Sequence, residues 1–330
     1  MSRVVITDAS FPNLDVEEKQ LAPLGLRVER GRNRSKAELI ESVQNADFVI
    51  TQFARLDREV ISSMRSVRVI VRYGIGVDNI DLEAAAERGI PVCNIPDYCI
   101  DEVADHTLAL ILAATRQVVA NSVTVTKAAW GLGVPLEQMH CLKSLAVGVV
   151  GFGRIGREVV ARLKPFRANI LVNDPGVRPE MIEAAGCRAV SLDELFSTSD
   201  VITLHCPAER STNHLINAGA ISKMKKGVIL VNVARGSVVC CESLIAGLQT
   251  GQVGFAALDV WETEPIEGGD PLFLFDNVIL HSHIASASRE ASLRLRTEAS
   301  AIVALAAQGK PLRNIVNGVH SQPGFAATVV

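Results

Sequence analysis

Short apolar runs alternate with amphipathic stretches along almost the whole chain, which is the pattern of repeated βα units. The first series of runs covers residues 4–7, 26–28, 48–51, 67–71 and 91–94, with helical periodicity between them, as over 35–44. The second covers 145–150, 170–173, 201–204, 228–233, 255–258 and 278–280. Runs this rich in Val, Ile and Leu suit strands covered on both faces. The pattern therefore predicts an α/β chain with two doubly wound parallel sheets.

Between the two series lies 101–116, DEVADHTLALILAATR, whose dense apolar positions and acidic first turn predict a long, mostly buried connecting helix. Residues 121–143 carry Gly131, Gly133 and Pro135 around Trp130 with little periodicity, and read as an irregular arm. A last helix is expected over 288–308, ended by Gly309-Lys310-Pro311. Residues 312–316 add one short element, and this tail is expected to return to the first domain.

At 330 residues, 48% hydrophobic and 21% charged, the chain is long enough for two domains with cores of their own. A net charge of -3 is too balanced to attract nucleic acid or an anionic membrane. No apolar stretch reaches the roughly 18 to 20 residues of a membrane span. Met1 leads into a strand-like run without a signal-peptide pattern, so a cytoplasmic protein is expected. The seven cysteines form no CxxC pair and read as small buried hydrophobes. No group of His, Cys, Asp and Glu has metal-ligand spacing, so no metal is expected.

The chemistry starts at Gly151-Phe152-Gly153-Arg154-Ile155-Gly156, placed between a predicted strand and a predicted helix. In GxGxxG the first Gly makes a tight turn, the second admits a pyrophosphate, and the third lets helix and strand pack closely. Asp174 follows Gly156 by 18 residues, near the distance at which a carboxylate accepts hydrogen bonds from an adenosine ribose. That carboxylate repels a 2'-phosphate, so NAD is expected over NADP. A second loop, Arg72-Tyr73-Gly74-Ile75-Gly76-Val77-Asp78-Asn79, lacks the third Gly; its freed amides suit a small carboxylate.

Hydride chemistry on a carbonyl needs a group that moves a proton near neutral pH, which points to histidine. His283 lies just beyond an apolar strand, where open α/β sheets place their ligands. His281 competes from two residues upstream and is expected to point the same way, while His205 ends another strand and lines the cofactor site. Arg235 follows the strand at 228–233 and can hold a carboxylate in a bidentate fork. Asp259, Glu262 and Glu264 are three candidate partners for the imidazole, and the spacing does not choose among them.

On RYGIGVDNIDLEAAAERGIPVCNIP, GFGRIGREV, VNVARGSVV, LDVWETEP and HSHIASAS, in that order over nearly the whole chain, the sequence resembles the D-isomer-specific 2-hydroxyacid dehydrogenases. That family includes phosphoglycerate, glyoxylate/hydroxypyruvate and D-lactate dehydrogenases and the C-terminal-binding protein corepressors. The resemblance implies NAD-dependent interconversion of a small 2-oxo acid and its D-2-hydroxy acid. Arg235 would orient the substrate, His283 would donate or accept the proton, and Glu264 would support His283. Arg154 and Ile155 would contact the pyrophosphate, and Asp174 the ribose. His205, Cys206, Pro207, Val233 and Ala234 would flank the cofactor, and Asp259 would face its nicotinamide end. Tyr73, Gly74, Ile75 and Gly76 would hold the substrate.

The same resemblance implies a Rossmann cofactor domain, 101–286, inserted into a flavodoxin-like substrate domain of 1–100 and 287–330. It also implies a homodimer formed through the cofactor domain by the connecting helix and the arm. Since the chain ends at Val330, the C-terminal regulatory module of some phosphoglycerate dehydrogenases is expected to be absent. Cys240-Cys241 stands where relatives carry an acidic residue, a change expected to affect helix capping. Glu264 argues against the formate dehydrogenase branch, which has Gln there. The competing reading is an NAD(H)-sensing interaction protein of the corepressor kind, to which NIPDYCIDEVADHTL is similar; the set Arg235, Glu264 and His283 favours turnover. Arg55 and Arg72 would meet a phosphate on a phosphoglycerate-like substrate.

Overall fold

Five strands rich in β-branched residues build the first sheet: β1 (Ser2–Ile6), β2 (Leu26–Arg30), β3 (Phe48–Thr51), β4 (Ile70–Arg72) and β5 (Val92–Cys93). In the computed structural model, which describes residues 1–31 and 33–319, they pair in parallel in the order β2-β1-β3-β4-β5. This sheet belongs to one of two units, Met1–Tyr98 with Ser288–Val330; the other is Cys99–Ala287.

Period-two alternation divides the side chains of the first sheet between two apolar layers. Val5, Val49 and Ile70 meet Leu39, Val43, Val60 and Ile61 on one face. Val4, Ile6, Phe48, Ile50 and Val71 meet Leu21, Leu295, Ala299, Ile302 and Val303 on the other. The helix Arg289–Ala307 supplies the last four of these, and Ser288 caps it by accepting the Ala291 N–H at 2.8 Å. Each fully buried side chain of this kind contributes roughly 1.5–3 kcal/mol. The tail then reaches the β5 edge: Ile315 bridges Cys93, and the Val316 N–H donates to Val92 O at 2.9 Å. Residues 320–330 of the expected first domain lie outside the described residues.

The second sheet is parallel throughout: β6 (Ala146–Val150), β7 (Asn169–Asn173), β8 (Arg188–Ala189), β9 (Val201–Leu204), β10 (Val228–Asn232), β11 (Val253–Leu258) and β12 (Val278–Leu280). Its order, β12-β11-β10-β9-β6-β7-β8, reverses direction between β6 and β9. The two-residue edge strand β8 is too short to leave a hydrophobic pattern. The helix Ile100–Thr115 packs against the helix Arg154–Leu163 and against β10 and β11. Arg162 ties the two helices together, reaching Asp101, Asp105 and Glu158 at 2.6 Å each.

Two expectations need correction. The arm at 121–143 is not irregular from its start, because the helix Val118–Thr126 runs into it. None of that helix's residues is buried, so no apolar stripe marks it, and its Val and Thr content disguises it further. The cysteines also divide: Cys93, Cys99 and Cys187 are buried, Cys141 is exposed, and Cys206, Cys240 and Cys241 are partly exposed. Among the described residues no single helix is long and apolar enough to cross a membrane.

Candidate active site

In the second unit the chain reversal between β6 and β9 opens a crevice at the carboxyl ends of the strands, the usual ligand position in such sheets. The β6 end enters it as Gly151, with φ +97°, in the left-handed region. A Cβ at Gly151 would lie 2.7 Å from the His205 carbonyl carbon, and one at Gly156 would lie 2.2 Å from Gly151 O. Both positions are closed to larger residues. At Gly153 nothing lies within 4 Å, so backbone there is open to close approach. The helix Arg154–Leu163 begins at this open position with no side-chain cap, a ready anion site. Arg154 is exposed and Ile155 half-buried.

Asp174, just past β7, is tied to the same turn: its Oδ2 accepts the Phe152 N–H at 2.6 Å and its Oδ1 the Gly176 N–H at 2.8 Å. Across the crevice, the His205 N–H donates to Val150 O at 2.7 Å. The His205 imidazole, 2.9 Å from Thr203 Oγ1, is desolvated and its pKa falls to about 3, so it is neutral at physiological pH. Burial pushes the Cys206 thiol up to about 11, which makes it an apolar wall and not a nucleophile. Pro207 is exposed, and Val233 and Ala234 are buried just beyond β10.

The turn after β10 is held by Asn232, which accepts the Ala234 N–H and donates to Arg235 O, both at 3.0 Å. A Cβ at Gly236 would fall 1.9 Å from the Trp261 main chain. This close approach sets the Arg235 turn against the segment that carries the three carboxylates. The half-buried Arg235 donates through one guanidinium nitrogen to Ala234 O at 2.8 Å.

The three carboxylates have separate tasks. Asp259 is fully buried and accepts the Ile284 N–H on Oδ1 at 2.8 Å and the Ala285 N–H on Oδ2 at 2.9 Å; its carbonyl accepts the His283 N–H at 2.7 Å. Its side chain therefore shapes the His283 turn, whose central residue has φ +56°. Glu262 accepts the Cys241 N–H at 2.8 Å and pairs with His214. It serves the helix that starts beside Cys240, whose own side chain caps nothing.

Glu264 is the partner of His283, with Oε2 2.8 Å from Nδ1, while its Oε1 accepts the Trp261 N–H at 3.0 Å. Burial alone would raise the Glu264 pKa. The His283 hydrogen bond, the Trp261 amide and the charges of His283 and Arg235 outweigh it and hold the carboxyl below its ordinary 4.5. This bond occupies Nδ1 of the His283 ring. His281 does not point the same way. β12 ends at Leu280, alternation stops there, and His281 Nδ1 lies 2.9 Å from His106 Nε2 instead.

In the first unit the second glycine loop follows β4. Gly74, with φ +150°, has the Arg72 guanidinium packed where a Cβ would stand, so the buried Arg72 is not displayed on a loop; Arg55 is exposed. The Tyr73 side chain is a core group, 1% exposed, with its hydroxyl donating to Glu17 at 2.7 Å, and its main-chain N–H donates to Thr51 O at 2.8 Å, so neither donor faces a ligand. The N–H groups of Ile75 and Gly76 donate to no backbone carbonyl among the described residues.

The crevice, glycine turn and acidic residue define the class: a dinucleotide-binding α/β protein. Residues 108–285 match the family described as D-isomer specific 2-hydroxyacid dehydrogenase, NAD binding domain. The D-3-phosphoglycerate dehydrogenase of Archaeoglobus fulgidus is 39% identical over 304 residues, 91% of this chain and 56% of that protein. The glyoxylate reductase of Aeropyrum pernix is 36% identical over 296 residues, 87% of this chain and 88% of that protein. The crystal structure of D-lactate dehydrogenase from Aquifex aeolicus, complexed with NAD and lactic acid, matches with a TM-score of 0.83 at 33% identity, covering 93% of this chain and 96% of that one. The chain spans a little over half the length of the phosphoglycerate dehydrogenases it matches. It belongs to the D-isomer specific 2-hydroxyacid dehydrogenase family.

Proposed function

We propose that the protein is an NAD-dependent oxidoreductase interconverting a small 2-oxo acid and its D-2-hydroxy acid. The observation that carries this reading is the 2.8 Å pairing of His283 Nδ1 with Glu264 on the segment that packs against the Arg235 turn. An imidazole oriented by a carboxylate, in the same unit as a guanidinium, is the equipment for moving a proton to a carbonyl of an anionic substrate.

The residues of the crevice fit a dinucleotide: open backbone at Gly153, an uncapped helix at Arg154 and Ile155, and Asp174 at the end of β7. Bound there, the reduced cofactor supplies a hydride. His283 delivers a proton from Nε2 to the carbonyl oxygen in reduction and takes it back in oxidation. Glu264 stabilises the charged imidazole and holds its tautomer. Arg235 grips the substrate carboxylate. Val233, Ala234, Cys206 and Pro207 flank the cofactor, and Asp259 serves its nicotinamide end through the turn it supports. In the first unit, the Ile75 and Gly76 amides are read as a carboxylate cradle. The Asp174 carboxylate supports NAD over NADP by charge repulsion.

Exposed apolar residues on the helix and arm, among them Val118, Val125, Trp130 and Leu136, support a homodimer through this face; Trp130 is 96% exposed. Light scattering of the purified chain tests this, a monomer at micromolar concentration being the adverse result.

The activity is tested by NADH oxidation with glyoxylate, hydroxypyruvate, pyruvate, phosphohydroxypyruvate and bulkier 2-oxo acids. At least one is expected to turn over to the D-hydroxy acid, and the replacement His283→Asn should lower kcat about 10²–10⁴-fold with NADH binding retained. No turnover anywhere in the panel overturns the reading.

A further inference from the structure

One side-chain cluster contains two histidines that the proposed reaction does not use. It joins His106 from the helix Ile100–Thr115, Asp259 at the end of β11 and His281 just past β12, three residues with no recognisable spacing in sequence. His106 Nε2 lies 2.9 Å from His281 Nδ1 and 3.8 Å from Asp259 Oδ1, and the candidate donor atoms are all within 4.8 Å of one another.

One proton shared between the two imidazoles satisfies that pair but leaves Asp259 outside the bond. A single N–H on His106 Nε2 bonds His281 or reaches toward Asp259, but not both, and 3.8 Å is too long for a hydrogen bond. Asp259 is 0% exposed and, among the described residues, has no Lys or Arg ion pair. Its neighbours are two backbone N–H groups and the imidazole pair. Each oxygen of this buried carboxylate accepts one backbone N–H, and a divalent ion at the common focus of the three donors would add the counter-charge that those amides do not carry.

We propose that His106, His281 and Asp259 form a binding site for a first-row divalent transition-metal ion. With metal–ligand bonds of about 2.0–2.1 Å, the nitrogens 2.9 Å apart subtend about 90° at the metal and the 3.8 Å pair about 130°, so the distances as they stand do not choose between octahedral and tetrahedral coordination. Two imidazoles and one carboxylate suit borderline first-row ions such as Ni²⁺, Co²⁺ and Zn²⁺. Two bonds of about 2.1 Å span at most about 4.2 Å, so a donor pair at the 4.8 Å limit closes by at least about 0.6 Å on binding. That contraction pulls on Asp259, which holds the Ile284 and Ala285 amides, so metal occupancy moves the turn that carries His283.

The test needs no turnover and so stands apart from the proposed activity. Chelator-treated protein is titrated calorimetrically with Ni²⁺ and Co²⁺. One ion per chain is expected, weakened at least tenfold by H106N or H281N, abolished in the double variant, and unchanged in H214N, which alters a separate exposed imidazole. Absence of saturable binding, or one-to-one binding that survives the double variant or disappears in H214N, overturns the proposal. Wild-type crystals soaked in Ni²⁺ guard against a variant that does not fold: an anomalous peak bonded to all three residues is expected, and a peak only elsewhere refutes the site.

Discussion

The two sheets share a plan, yet their switch points are treated in opposite ways. In the first unit the order reverses between β1 and β3, and the chain fills that position itself. Asp8 accepts the N–H groups of Gln52, Phe53 and Ala54 at 3.1, 2.6 and 3.2 Å, and the Thr7 hydroxyl at 2.7 Å. In the second unit the corresponding position holds the Gly151 turn, an open Gly153 and an uncapped helix. The same amide-rich geometry thus binds an internal carboxylate in one sheet and is left for an external anion in the other. The first unit also satisfies its buried charge internally: Arg296 forks onto Glu17 at 2.8 and 2.6 Å, with Tyr73 as a third donor. A fold of this kind becomes a binding site where its polar groups are not already paired.

The largest expected effect comes from breaking the internal pairing. Arg296→Leu strands the fully buried Glu17, and urea unfolding should show a loss of about 3–5 kcal/mol. Less is lost on emptying the filled switch point: Asp8→Ala leaves three loop amides without their acceptor, and the expected destabilisation is about 1–3 kcal/mol with NADH affinity unchanged. Gly153→Ala reverses that signature. Its Cβ meets nothing in the protein, so the melting temperature should hold, while NADH binding followed by fluorescence should weaken about tenfold, about 1.4 kcal/mol.

Acidification separates the units most gently. Burial pushes Glu17 up, but its bonds from Arg296 and Tyr73 prevail, and its pKa, like that of Glu264, lies below the ordinary 4.5 in the folded protein. Each depressed carboxylate therefore contributes its full stabilisation above pH 4.5 and loses it as pH falls through the folded value. Unfolding measured from pH 6 to pH 3 should show a flatter acid limb in Glu17→Gln and only a slight change in Glu264→Gln, because Glu264 is partly exposed to solvent. Equal flattening by the two would break the comparison.

Much of this was legible in the chain. The strands over 48–51, 201–204 and 278–280 coincide with β3, β9 and β12 because buried parallel strands leave uninterrupted apolar runs. The glycine turn was legible because its residues are consecutive and each Gly answers a local steric demand. The helix Val118–Thr126 was not, since it buries no face and so leaves no period. The division of labour among Asp259, Glu262 and Glu264 was illegible from spacing, because each partner lies on a different element: the 284–285 amides, the Cys241 N–H and His283.

What the sequence determined alone was therefore what depends on neighbours along the chain: periodicity, the order of βα units, the GxGxxG turn and the distance to Asp174. Tertiary structure alone decided what depends on neighbours in space. It turned Tyr73 into the core, set His281 against His106 and not beside His283, and closed one switch point with Asp8 while leaving the other open. The physical reason is range. Backbone propensity and side-chain periodicity act over a few residues, whereas hydrogen bonds and ion pairs join groups that only the packed chain brings within 3 Å.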